Sequence, residues 1–371
     1  MFYEPDIAVI GGGPAGLMAA VTAAEAGASI LLIERDGHLG GQLVKQTHKF
    51  FGSEKQHASV RGIDIAGLLS RKLAGFSDLA SVWTDATAIG LYEDGVLTVE
   101  HRGRYKKVRP ERIIAATGAS EKYLSFPNND LPGIYGAGAV QTMMNVHGVR
   151  PGKRVLMIGA GNIGLIVSYQ LLQAGVEVAA IVEGLPAIGG YLVHASKIRR
   201  AGVPILTSHT IVRADGKNSV ESAVIAGVDR FWNIIPGTEE TVACDVICIA
   251  AGLSPLAELL WQAGCAMRYV KELGGHVPVR NDRLETSVPG LYIAGDLTGI
   301  EEASAAMVEG RLAGLEAAAS LGLKTDHYEE ERLDCLEQLR QLRAGPAGEK
   351  IREGIVRTLL GPSGEEVDHA V

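Results

Sequence analysis

Two stretches of this chain share one pattern. They are IAVIGGGPAGLMAAVTAAEAGASILLIE at residues 7–34 and VLMIGAGNIGLIVSYQLLQAGVEVAAIVE at residues 155–183. Each reads as a buried strand, a G-x-G-x-x-G turn, an apolar helix stopped by Gly, a second buried strand and a closing acid. Gly11 and Gly159 stand about 148 residues apart. That spacing marks two domains of one kind rather than a solenoid. In such a turn the first glycine (Gly11, Gly159) bends the chain and the second (Gly13, Gly161) lets a pyrophosphate reach the backbone. The third (Gly16, Gly164) packs helix on strand. The helix start, at Pro14-Ala15 or Asn162-Ile163, offers amide donors and partial positive charge to phosphate. Glu34 and Glu183 close the second strands, where a carboxylate accepts both hydroxyls of an adenosine ribose. An acid there repels a 2′-phosphate, so the second site favours NAD(H) over NADP(H). Arg199 and Arg200 are the nearby cations but lie well downstream. A turn that has lost its nucleotide and survives as packing is the competing reading of the second copy.

The rest of the chain fits around this pair. A length of 371 residues suits two domains and a tail. Forty-seven glycines with 5% aromatics suit Gly-rich α/β domains. A net charge of −8 argues against a nucleic-acid surface. The uncharged run Ile7–Ala24 is long enough to suggest a membrane span. Glu4 and Asp6 precede it, however, and Gly11-Gly12-Gly13-Pro14 would break a spanning helix. The expectation is a soluble, cytoplasmic protein. The four cysteines (Cys244, Cys248, Cys265, Cys335) form no disulfide framework, and no Cys/His spacing suits a metal. Cys244 and Cys248 share a strand, where four residues separate them by about 13 Å, too far for a disulfide.

Between the motifs, residues 62–75 have helical spacing. VWTDATAI, GVLTVEHRG and RYKKVRP read as a small antiparallel meander, and RIIAATG (112–118) as a buried strand ending at Thr117-Gly118. Residues 120–135 form a linker, and a short helix is expected around Gly138–His147. YIAGDLTG places Gly295-Asp296 at a strand end, before a long Ala-rich helix. The domains are therefore expected at 1–122 with 280–325 for the first nucleotide and 123–279 for the second. Residues 326–371 read as two polar helices broken at Ala344-Gly345-Pro346. They carry eleven acids against six Lys/Arg and suit a solvated tail; docking onto a partner protein is the alternative.

The order GGGPAG, Glu34, Gly40-Gly41-Gln42, AATG, GAGNIG, AAG and AGD resembles the two-dinucleotide-domain flavoproteins of the pyridine nucleotide–disulfide oxidoreductase superfamily. Within that superfamily the chain is most similar to the FAD/NAD-binding subunits of hydrogen cyanide synthase, opine oxidase and dye-linked proline dehydrogenase. The resemblance implies two Rossmann-like three-layer domains of the glutathione/thioredoxin reductase kind, with FAD in the first and NAD(H) in the second. Gly11, Gly13, Pro14, Ala15 and Gly16 would meet the FAD pyrophosphate. Glu34 and Arg35 would hold its adenosine, the Ala86 backbone its adenine, and Gly41 and Gln42 the adjoining region. Thr117 and Gly118 would lie near it, Asp296 after Gly295 would bind the ribityl chain, and Ala303 would sit by the pyrimidine. Gly159, Gly161, Asn162, Ile163, Gly164 and Glu183 would serve the second nucleotide.

This sequence departs from that pattern in its thiols. No cysteine follows Gly40-Gly41, and GLPAIGGYLVHASK after the second motif has no C-x-x-C. Between Gly41 and Ile63 stand Lys45, Lys49, Lys55 and Arg61 against Glu54, with His48 and His57. Lys45 and His48 are candidates to hydrogen-bond near flavin N5. The bland alternative is a basic loop burying Phe50 and Phe51. Electrons would then leave to NAD, to a diffusible acceptor, or to a partner subunit carrying a second flavin or an iron–sulfur cluster, in a homo- or hetero-oligomer. Three functions follow: an electron-transfer subunit of an amine- or amino-acid-oxidising complex, a self-contained NADH-dependent reductase, or a structural nucleotide-binding subunit.

Overall fold

The computed structural model describes residues 2–50 and 52–360. Phe51, expected with Phe50 in the core, and residues 361–371 of the expected tail lie outside the described residues. The chain divides into two units, residues 1–120 with 254–371, and residues 121–253.

In the first unit β1 (Ile7–Ile10) leads through the glycine turn into α1 (Pro14–Glu25) and back to β2 (Ile30–Ile33). The uncharged run is thus split into strand, turn and helix. Among the described residues no helix is long and apolar enough to cross a membrane. After α2 (Gly62–Ala74) come β3 (Ala80–Trp83), the antiparallel strands β4 (Ala86–Leu91), β5 (Leu97–His101) and β6 (Arg104–Val108), then β7 (Arg112–Ala115). VWTDATAI is therefore not one meander strand. Asp85 takes a left-handed φ of 50° and cuts it, sending β3 into the parallel sheet and β4 into the meander.

The second unit repeats the design. It holds β8 (Ile134–Gly136), α3 (Ala137–Gln141), β9 (Arg154–Ile158), α4 (Asn162–Gln173), β10 (Glu177–Glu183), α5 (Leu192–Arg200) and β11 (Ile205–Thr207). A second antiparallel meander follows, of β12 (His209–Asp215), β13 (Ser222–Gly227) and β14 (Glu240–Ala243), before β15 (Val246–Ile249). Its parallel sheet has the order β8-β15-β9-β10-β11, with every β9, β10 and β15 residue apolar except the ends and Cys248. Burial on both faces explains these runs without alternation.

The chain is back in the first unit at residue 254, earlier than the expected 280. This stretch holds helix α6 (Glu258–Gln262) and strands β16 (Met267–Val270) and β17 (Gly275–Pro278). Leu259, Leu260, Ala263 and Cys265 complete an apolar core with Leu91, Leu97, Val99 and Ile113 of the first unit, and this holds them there. Strand β18 (Leu291–Ile293) then joins the first parallel sheet, ordered β18-β7-β1-β2-β3, and α7 (Ala303–Ser320) packs on α1. Gly310 and Gly314 make this approach possible, since a Cβ on either would meet the α1 backbone at 2.1 and 2.6 Å.

The tail forms the two expected helices, α8 (Tyr328–Leu342) and α9 (Glu349–Val356). It is not a solvated appendage. Helix α8 lies along α7 with Cys335 and Leu339 in its core, and Ile351 and Ile355 of α9 pack against Leu273. Its charges are partly paired within the chain: Arg311 bonds Glu331 at 3.0 Å, Arg332 bonds Glu316 at 2.6 Å, and Lys55 bonds Asp334 at 2.5 Å.

Candidate functional site

Both glycine turns are built alike. Gly11 and Gly159 take φ of 105° and 109°. A Cβ on Gly16 or Gly164 would lie 1.8 or 2.0 Å from the carbonyl oxygen of Gly11 or Gly159, so side chains are excluded at these helix–strand crossings. The second glycine differs. At Gly13 the nearest atom to a Cβ is 4.0 Å away, and at Gly161 nothing lies within 4 Å. Neither position needs glycine for the fold, yet each leaves an open cradle at the start of a helix with no side-chain cap. That is the space a pyrophosphate requires, facing amide donors and the positive end of the helix dipole.

The acids are held equally alike. Glu34, buried, accepts Gly12 N–H at 2.6 Å and Asp36 N–H at 2.8 Å on its two oxygens. Glu183 accepts Ala160 N–H at 2.8 Å and Leu185 N–H at 3.0 Å. Each carboxylate is thereby fixed at the carboxyl end of its strand, with lone pairs left over for a vicinal diol. Ala86 donates its N–H to the Glu34 carbonyl at 2.9 Å, so its backbone lies at this end too, while Arg35 is exposed.

The repeat extends beyond the two turns and their acids. Gly40 N–H bonds the Gly12 carbonyl at 2.8 Å, and Gly190 N–H bonds the Ala160 carbonyl at 3.0 Å. Gly41 and Gly189 come against the second glycines, Gly13 and Gly161, at their Cα atoms. The Gly-Gly pairs 40–41 and 189–190 are its visible signal in the sequence. Gln42 is exposed on the 3-10 turn Gly41–Lys45. Thr117 Oγ1 donates to the Leu256 carbonyl at 2.7 Å and Leu256 N–H bonds Gly118, which pins the end of β7. In the second turn Asn162 Oδ1 accepts Tyr191 N–H at 2.8 Å, and Ile163 is exposed.

Gly295 and Asp296 follow β18, and a Cβ on Gly295 would meet Ala15 of α1 at 2.9 Å. The first glycine turn, Asp296 and the start of α7 at Ala303 therefore converge. Lys45 ends the 3-10 turn that begins at Gly41, and the half-buried His48 ring stacks on Phe50 with centroids 5.8 Å apart. The sequence did not suggest the group beneath Asp296. Glu309, buried, accepts Gly295 N–H at 3.0 Å and Thr298 Oγ–H at 2.7 Å. Its other oxygen takes Arg343 Nη2 at 2.6 Å and faces Arg280 at 3.5 Å. Arg343 also grips Glu301 with Nε at 3.0 Å and Nη2 at 2.6 Å. Burial pushes the Glu309 carboxyl up, but Arg343 and Arg280 outweigh it and hold the group below the usual range.

Burial lifts the Asp296 carboxyl to about 7, against an N–H from Glu301 and with Glu309, Glu301 and Glu302 adding to the rise. The folded value exceeds the unfolded one, so Asp296 carries no penalty below about pH 4 and destabilises increasingly as pH rises through about 7. In urea unfolding of the flavin-free protein, Asp296→Asn should exceed wild type by no more than about 1 kcal/mol near pH 4.5. It should exceed wild type near pH 8 by on the order of 2–4 kcal/mol. A constant gap across this range would show that Asp296 does not carry the proton.

An open glycine turn at a helix start, with a strand-end acid fixed beside it, is the arrangement of a dinucleotide-binding domain, and this chain has it twice. The chain belongs to the pyridine nucleotide-disulphide oxidoreductase family, whose model matches residues 5–310. An opine oxidase subunit of Rhizobium meliloti is 27% identical over 339 residues, 87% of this chain and 64% of the relative. Hydrogen cyanide synthase subunit HcnB of Pseudomonas protegens is 24% identical over 334 residues, 85% of this chain and 70% of the relative. In fold, the L-proline dehydrogenase of P. horikoshii matches with a TM-score of 0.69 at 23% identity, over 92% of this chain and 60% of that one. The chain thus spans a little under two thirds of the length of the opine oxidase relative.

Proposed function

We propose that this chain is an electron-transfer subunit. It would hold FAD in the first unit and NAD(H) in the second, and work beside a partner that oxidises an amine or amino acid. Bound FAD supplies the two-electron chemistry. The residues of this chain bind and orient it: the Gly11–Gly16 turn with Gly41 at the pyrophosphate, Glu34 and Ala86 at the adenosine, and Asp296 at the ribityl chain. Lys45 and His48 are the groups proposed to hydrogen-bond the reacting ring. Gly159–Gly164 and Glu183 hold the second nucleotide.

The observation that carries this reading is the absence of a usable thiol pair. All four cysteines are free and buried. Burial lifts the thiols of Cys244 and Cys335 to about 11, and that of Cys248 higher still. Burial disfavours the thiolate at each of the four, which supports a route for electrons that does not run through a cysteine pair. Both sequence relatives are named as subunits of an oxidase or a synthase, which supports a partner.

The intact second cradle favours one other reading, a self-contained NADH reductase. Anaerobic stopped-flow reduction separates the two. As an electron-transfer subunit the isolated flavoprotein bleaches slowly or not at all with NADH, and rapidly when its native partner and that partner's substrate are added. Bleaching by NADH alone at turnover rates would replace the partner model with the reductase. NADPH should act at least tenfold less well than NADH, because Glu183 opposes a 2′-phosphate.

A further inference from the structure

The loop between β13 and β14 carries an exposed aromatic side chain to the end of the ribose-reading strand. Strand β10 ends at Glu183, and Gly184 is the next residue. The six-membered ring of Trp232 lies directly on Gly184, where a Cβ would meet Cη2 at 2.3 Å and Cζ3 at 2.4 Å. The glycine is therefore required by the ring above it. At the equivalent position after Glu34 stands Arg35, so the indole takes the volume that a side chain fills in the first unit.

Hydrogen bonds define the turn. Asp229 Oδ1 accepts the N–H groups of Phe231 at 2.8 Å and Asn233 at 2.9 Å, and Oδ2 accepts Asn233 Nδ2 at 3.0 Å. Trp232 N–H returns to the Asp229 carbonyl at 3.0 Å. This turn holds Trp232 at φ 65°, a left-handed conformation that a bulky residue rarely takes. The strained turn presents a ring that is still 59% exposed. Packing alone would bury it.

In this fold the ligand lies outside the carboxyl ends of the strands, and the acid closing the second strand reads the adenosine ribose. The adenine attached to that ribose must then lie within a few ångströms of residue 184. We propose that Trp232 is the adenine platform of the second dinucleotide site, stacking its exposed indole face on the base. A flat base has a π-face that an indole accepts, and such stacking is worth enough to set affinity. This assignment rests on the reading of Gly159–Gly164 and Glu183 as a nucleotide site.

ADP-ribose is the probe, because it carries the adenosine half without redox chemistry. Binding is measured by calorimetry and by tryptophan fluorescence on the full-length flavoprotein. Wild type should bind, with saturable quenching. Trp232→Leu keeps an apolar side chain over Gly184 but removes the π-face, and should weaken ADP-ribose binding by about 5- to 100-fold. Trp232→Phe should recover most of the loss. Unchanged far-ultraviolet circular dichroism and urea-unfolding midpoint in both variants show that the fold is kept, and Trp232→Ala is a third variant should Leu fail that check. Equal affinity in the Leu and Phe variants, or tighter binding than wild type, overturns the platform while leaving the nucleotide site. Failure of wild type to bind ADP-ribose overturns both.

Discussion

Replacing Arg343 with Met should destabilise the protein by about 3–5 kcal/mol at neutral pH, the range for removing one partner from a buried charge cluster. Arg343 touches two carboxylates that water barely reaches, with side-chain exposures of 12% for Glu301 and 2% for Glu309. Without it Glu301 loses its bidentate partner. Glu309 keeps only Arg280 at 3.5 Å and its two neutral donors, Gly295 N–H and Thr298 Oγ–H. Methionine fills the aliphatic volume, so the loss reads charge rather than packing. The sign with pH is fixed by the carboxyls. Burial already raises Glu301, with Arg343 opposing. In the variant that opposition is gone, protonation relieves the unpaired charge, and the deficit shrinks as pH falls. Chemical unfolding of both proteins between pH 5 and 8 measures this. A deficit below about 1 kcal/mol, or one independent of pH, would show that the cluster is not held by this arginine. Because Glu309 also holds the Gly295 turn, flavin should dissociate faster from Arg343→Met than from wild type.

Arg343 also shows where a sequence stops being readable. The glycine turns, their acids and the Gly295-Asp296 turn were legible because each is local. A few adjacent residues adopt one backbone shape, and the shape demands those residue types. Arg343 meets Glu309 across 34 residues and Trp232 meets Gly184 across 48. Nothing near Arg343 distinguishes it from the other five Lys/Arg of an acidic tail. The tail looked solvated because its charge count says nothing about pairing; Glu331, Arg332 and Asp334 pair with Arg311, Glu316 and Lys55 while Cys335 and Leu339 enter the core. The division into compact units is hard to read for a similar reason. Residues 254–279 follow the second unit in sequence, but Leu259, Leu260, Ala263 and Cys265 find their apolar neighbours in the first.

The second large effect separates the two glycine turns by a single methyl group. Gly13 sits at φ −75°, ψ −171°, and Gly161 at φ −72°, ψ 179°, conformations open to alanine. An added Cβ finds its nearest neighbour 4.0 Å away at Gly13 and none within 4 Å at Gly161. Gly13→Ala should therefore fold normally and differ from wild type only when a phosphate must approach. Losing two charge-assisted hydrogen bonds at about 1.5 kcal/mol each lowers FAD affinity by about 100-fold. Gly161→Ala should leave flavin content intact and weaken ADP-ribose to a similar degree. Gly16→Ala is the contrast. Its Cβ would fall 1.8 Å from the Gly11 carbonyl oxygen, so helix α1 must leave the sheet and the variant should not accumulate as folded protein. The measurements are flavin absorbance of the purified proteins, FAD titration by fluorescence, and ADP-ribose calorimetry. Full retention of FAD by Gly13→Ala would remove the first turn from the cofactor site. Loss of flavin from Gly161→Ala would mean that the assignments of the two turns must be exchanged.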